Sequence, residues 1–202
     1  MPQPEKSVTP DFGEITEILQ DWNKGDREAI NRVLPLVYEK LRQAARYKLG
    51  SAGGHTLEPT ALINEVYLRM LDVKSFELKD RTQFYHFAGM LMRRILVDHA
   101  RARLSQKRGG THAKVPLEYL GDIAARENLD PVTLLALDTA LNKLKQLEPR
   151  QSRMVELRFF AGLTIDELAE IFQVSTITVK RDFRSAKLWL ARELKQQESE
   201  KQ

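Results

Sequence analysis

Cysteine is absent from the 202 residues, which excludes disulfide staples, thiolate nucleophiles and cysteine-ligated zinc. The four histidines, His55, His86, His99 and His112, fall in separate segments, and none forms an H-E-x-x-H or His-x-x-x-His pair. Aromatics are sparse at 7%. No window approaches 18 consecutive apolar residues, so no membrane insertion is expected. The opening MPQPEKSVTPDFGEI has no apolar core of a secretory signal, and with the missing cysteine this points to a cytoplasmic chain. No stretch alternates apolar and polar residues as a half-buried strand does, and no internal repeat is evident. The expected fold class is therefore all-α, with no metal, no cofactor and no catalytic set.

What the chain does have is charge in two places. The net charge is only +4, but residues 93–108 hold six cations (Arg93, Arg94, Arg101, Arg103, Lys107, Arg108) against Asp98 alone. Residues 176–195 hold six more (Lys180, Arg181, Arg184, Lys187, Arg192, Lys195) against Asp182 and Glu193. Two basic patches on a balanced chain fit a polyanionic partner. Two solvated helix faces would look the same.

Residues 1–10 carry three prolines and read as a loose tail. Helical spacing then begins, with Ile15, Ile18, Leu19 and Trp22 on one stripe ended by Gly25. Asp26 can cap a second helix whose inner face runs from Ile30 to Ala45, and Pro35 predicts a kink or break in it. GSAGGHTLEP, residues 50–59, is a loop by its glycines. A third helix is expected from about Pro59 to Leu71, and a fourth from about Gln83 to Lys107. The buried stripe of the fourth is Phe84, Phe87, Ala88, Leu91, Ile95 and Leu96, and KRGG stops it. Residues 109–132 read as a linker, after which helical patterning resumes and pauses at Glu148-Pro149. The chain thus divides into helical units over 11–108 and 133–197; periodicity does not fix how the two sit together.

The second unit ends in TIDELAEIFQVSTITVKRDFRSAKLWLAREL, the form of a helix-turn-helix. Thr164 and Glu167 fit a capping box, Val174 plugs the turn, and Ser175 caps the second helix. Ile177, Val179, Phe183, Ala186 and Leu190 are the expected packing residues. The opposite face offers Thr176, Thr178, Lys180, Arg181, Arg184 and Lys187 to DNA. Asp182 is out of place on such a face and is expected to point sideways or to pair with a basic neighbour. An ordinary helical hairpin with a charged outer side is the plainer alternative.

In the first unit, FYHFAGMLMRRILVDHARARLSQKR mixes aromatic and basic residues, which suits stacking on exposed bases as well as core packing. Taken in order, P-T-A-L, E-V-Y-L-R-M-L, L-M-R-R-I-L-V-D-H-A-R-A-R, K-R-G-G, then R-M-V-E-L-R-F-F-A-G-L-T-I-D-E-L-A and V-S-T-I-T-V-K-R-D resemble a sigma-70 family factor. More closely, they resemble its extracytoplasmic-function (ECF) and ECF-like group, over roughly residues 12–195.

That resemblance implies a sigma region 2 over 11–108 and a sigma region 4 over 133–197. It implies binding to core RNA polymerase, through the β′ clamp helices and the β flap, and to promoter DNA. The β′ face corresponds to Asn64, Glu65, Tyr67, Leu68 and Arg69. Recognition and melting of the −10 element correspond to Lys74, Phe76 and Arg81 in and beside a base-capturing loop, and to Arg93, Arg94, His99, Arg101 and Arg103 along the fourth helix. Lys180, Arg181 and Arg184 fall where the family reads the −35 element. An anti-sigma factor is a further partner such proteins often have, and the free protein is expected to be monomeric.

Two other classes remain on the sequence alone. A stand-alone helix-turn-helix regulator would dimerise on two half-sites, but no long apolar dimer helix is evident. A helical enzyme would need Glu65 and Asp98 to meet as paired carboxylates through the fold.

Overall fold

The computed structural model describes residues 12–49, 57–72, 78–106 and 130–199, and among them every regular element is helical. The stretch expected to form the first unit holds α1 (Phe12–Asn23), α2 (Ala29–Leu49), α3 (Pro59–Asp72) and α4 (Arg81–Gln106). The stretch expected to form the second holds α5 (Pro131–Leu147), α6 (Pro149–Phe159), α7 (Ile165–Phe172) and α8 (Thr176–Ser199). Loop residues 50–56, KRGG and most of the linker lie outside the described residues.

The helix ends follow from local chemistry. Gly25 turns the chain after α1 with φ 101°, a value that suits a residue without a Cβ. The Asp26 side chain accepts the Glu28 N–H at 3.0 Å just ahead of α2. α2 stays helical across Pro35 instead of breaking there. Asp130 caps α5 by accepting from the Val132 and Thr133 amides at 3.0 and 3.1 Å, and Pro131 occupies the first turn, where its missing N–H costs nothing. Glu148 separates α5 from α6, which again starts on a proline.

In the first unit α2 packs on α1 and α3, and α4 on α1 and α3. Ile15, Leu19, Ile30, Val33, Leu62, Ile63, Val66 and Phe84 are all buried there. Each such side chain contributes about 1.5–3 kcal/mol by leaving water. In the second unit α5 packs against α6 and α8, and α7 against α8. The expected stripe of α4 is buried, but so are Tyr85, Met92, Arg93, Val97 and Ala100 on its other sides. The reason is that α5 and α6 cover the side of α4 that its own unit leaves open. A helix apolar around most of its circumference is stable only when enclosed, and here the enclosure comes from both units.

An amide clamp ties α1 to the segment entering α4. Asn23 donates through Nδ2 to the Leu78 carbonyl and accepts the Leu78 N–H at Oδ1, both at 2.9 Å. Leu78 itself is buried.

Candidate nucleic-acid interface

The helix-turn-helix is built from short-range contacts. Thr164 Oγ1 accepts the Glu167 N–H at 3.2 Å, and Glu167 Oε2 accepts the Thr164 N–H at 2.8 Å, completing the capping box of α7. Gln173 closes α7 in the left-handed region, φ 53°, with its N–H on the carbonyls of Ala169 and Glu170. Ser175 Oγ accepts the Thr178 N–H at 3.1 Å and lies 2.9 Å from Thr178 Oγ1. These bonds set the angle at which α8 leaves the turn.

On α8, Val179, Phe183, Ala186, Leu190 and Leu194 are buried. Lys180, Arg181 and Arg184 are exposed, and Thr176, Thr178 and Lys187 are half-buried. The Lys187 ammonium sits 5.7 Å from the Phe183 ring centroid. Asp182 is turned aside, held by Arg150 at 3.1 Å and by Arg181 at 3.4 Å. Ile177 departs from expectation: it is 76% exposed instead of packed. Val179 and Phe183 fill the inner side of α8 without it.

The basic residues of α4 divide into two sets. Arg94 and Arg101 are exposed, and His99 and Arg103 are half-buried. His99 Nε2 lies 3.5 Å from Glu65, and Arg101 lies 3.8 Å from Asp98. Arg69 bridges Glu65 and Asp98, at 2.8 and 3.6 Å, so these two carboxylates meet across a guanidinium and not as an acid pair. Beside them Asn64 and Leu68 are exposed on α3, and Tyr67 donates its hydroxyl proton to Asn31.

Arg81 and Arg93 form the second set; both are buried, against carboxylates of the other unit. Arg93 donates from Nε to Asp138 Oδ1, and from Nη2 to the Asp138 carbonyl and to Asn142 Oδ1, each at 2.8 Å. Its Nη1 reaches Glu156. Arg81 donates to Glu167 Oε1 at 2.8 Å, and Lys40 reaches the same oxygen. Burial alone would raise the Glu156 carboxyl. The hydrogen bonds and charges of His86 and Arg93 outweigh it and hold that carboxyl below its ordinary range. Glu167 is lowered the same way, with burial opposed by Lys40, the Thr164 N–H and Arg81. Lys74 and Phe76 lie outside the described residues.

No sequence motif marks Lys40, Asp138 or the second role of Glu167. One signal was present: Glu156 stands in the run Met154-Val155-Glu156-Leu157, where an acid among apolar residues needs a buried partner.

The family model for ECF sigma factors matches residues 12–196, which include every helix described except the last turn of α8. The chain belongs to the ECF sigma factor family. No match to it was found among curated proteins. As an ECF sigma factor it serves promoter-specific transcription initiation by RNA polymerase. In this sigma factor the helix-turn-helix basic face is open, whereas two arginines of α4 are engaged by the second unit. No described helix is long and apolar enough to cross a membrane.

Proposed function

We propose that the protein docks on core polymerase through α3 and reads the promoter at two points, α4 at the −10 element and α8 at the −35 element. The observation that carries this is the two-sidedness of α8: an apolar inner side and, opposite it, Lys180, Arg181 and Arg184 held out by a capped turn. Cations so placed bond guanine edges and phosphates, and Thr176, Thr178 and Lys187 flank them. On α3, Asn64 and Leu68 are exposed, and Glu65, Tyr67 and Arg69 border them. An exposed leucine, 57% accessible, among polar neighbours suits the β′ clamp helices, with the second unit on the β flap.

Arg94, Arg101, His99 and Arg103 line the accessible part of α4 and track the −10 strand, with Lys74 and Phe76 contributing base capture. Arg81 and Arg93 join them only when the two units part, since each now faces a carboxylate. Docking on polymerase supplies that separation. The free protein is a cytoplasmic monomer, and an anti-sigma factor is a partner that would act on the same surfaces.

The test is gel filtration with core polymerase followed by run-off transcription from genomic fragments. Co-elution and discrete start sites are the expected results. Failure to co-elute, or specific operator binding by the protein alone, would replace this reading with that of a stand-alone regulator.

A further inference from the structure

We propose that Ile177 selects thymine in the upstream promoter element, by packing on the 5-methyl group in the major groove; this rests on the assignment of α8 to promoter reading. Ile177 is the most exposed large apolar side chain among the described residues, at 76%. The core side of α8 is complete without it, since Val179, Ala186 and Leu190 are fully buried. At about 100° per residue, Ile177, Arg181 and Arg184 lie within about 60° of one another on the opposite side of the helix.

The surroundings specify the occupant. Lys180, Arg181 and Arg184 are exposed around Ile177, so whatever meets this face is anionic. The Ser175 and Thr178 hydroxyls are bonded to each other, which leaves the side chain between them as the apolar projection of the first turn. The N-terminal turn of a recognition helix is the part that meets base edges. Among the groups that base pairs present in the major groove, the thymine methyl is the apolar one. A β-branched side chain on a helix has one strongly preferred χ1 state, so little freedom is lost on contact.

The experiment uses the full chain with core polymerase. A randomised upstream element first gives the preferred sequence, and each preferred thymine is then replaced by deoxyuridine. The wild type should lose about fourfold in promoter binding at one position, the worth of one buried methyl. Ile177→Ala should respond equally to thymine and deoxyuridine there, keep its preferences at other positions, and retain its helical circular dichroism. An unchanged thymine-to-deoxyuridine ratio in Ile177→Ala overturns the proposal. So does a variant that loses only co-elution with core polymerase, which would make Ile177 a protein contact. Wild-type transcription indifferent to the whole upstream element would instead remove the promoter-reading role of α8 itself.

Discussion

The two carboxylate oxygens of Glu167 serve different neighbours. Oε2 closes the cap of α7, and Oε1 meets Arg81 and Lys40 of the other unit. One residue therefore fixes where the helix-turn-helix begins and where it rests. Gly162, two residues before the cap, meets a steric limit at the same contact. Its φ is +76°, and a Cβ there would lie 3.0 Å from the Ala44 Cβ and 3.3 Å from the Lys40 carbonyl. Gly162→Ala should therefore cost about 1–2 kcal/mol from the left-handed backbone alone, with the clash added. Urea unfolding monitored by circular dichroism measures it, and an unchanged midpoint would show that the turn relaxes freely. Arg184 is the residue-scale test of base reading. Arg184→Ala should lose about 1–3 kcal/mol of binding to an upstream-element promoter if the guanidinium forks onto a guanine. Transcription unaffected by the change would remove Arg184 from the reading set.

At the scale of elements, what could be read from sequence was what is decided within a few residues. The capping box needs only Thr164 and Glu167, three apart, and both of its bonds are present. The core stripe of α4 is decided by helical spacing, and its members are buried. Ile177 was misplaced because apolar character alone does not say which side of α8 faces inward once Val179, Phe183 and Ala186 already fill that side. The contact between units was hidden for another reason. Arg81 and Glu167 are 86 residues apart and Arg93 and Glu156 are 63 apart, and no local pattern pairs charges at such distances. The Asn23–Leu78 clamp, 55 residues apart, escaped in the same way. It anchors the segment entering α4, next to the residues proposed to capture a −10 base. Asn23→Ala removes two hydrogen bonds, each worth about 0.5–1.5 kcal/mol, so about 1–3 kcal/mol of stability should be lost. Promoter melting, followed by permanganate footprinting, should fall while binding to core polymerase is retained.

For the whole molecule, the decisive quantity is the free energy holding the two units together. Among the described residues its polar part includes Arg93 with Asp138, Asn142 and Glu156, His86 with Glu156, and Arg81 and Lys40 with Glu167. Glu156 and Glu167 both titrate below the ordinary glutamate range. A carboxylate lowered in the closed state stabilises closure fully above its ordinary pKa and loses that contribution as pH falls through the lowered one. The contribution of these two carboxylates to closure should therefore be flat across neutral pH and weaken below the ordinary range, as Glu156 and Glu167 take up protons. Glu167→Gln mimics the second protonation at neutral pH. It keeps an oxygen for the Thr164 N–H, since glutamine also completes a capping box, but removes the negative charge that Arg81 and Lys40 share at this position. A buried guanidinium that loses a carboxylate is costly, and separation of the units, as proposed above, would return Arg81 to water and limit the penalty to the energy of closure. The expected outcome is a larger radius of gyration by small-angle scattering at neutral pH, with helix content unchanged. Wild type should reach the same dimensions only on acidification. Equal dimensions for both proteins at neutral pH would mean that the apolar contacts of α4 with α5 and α6 hold the units together without the charges.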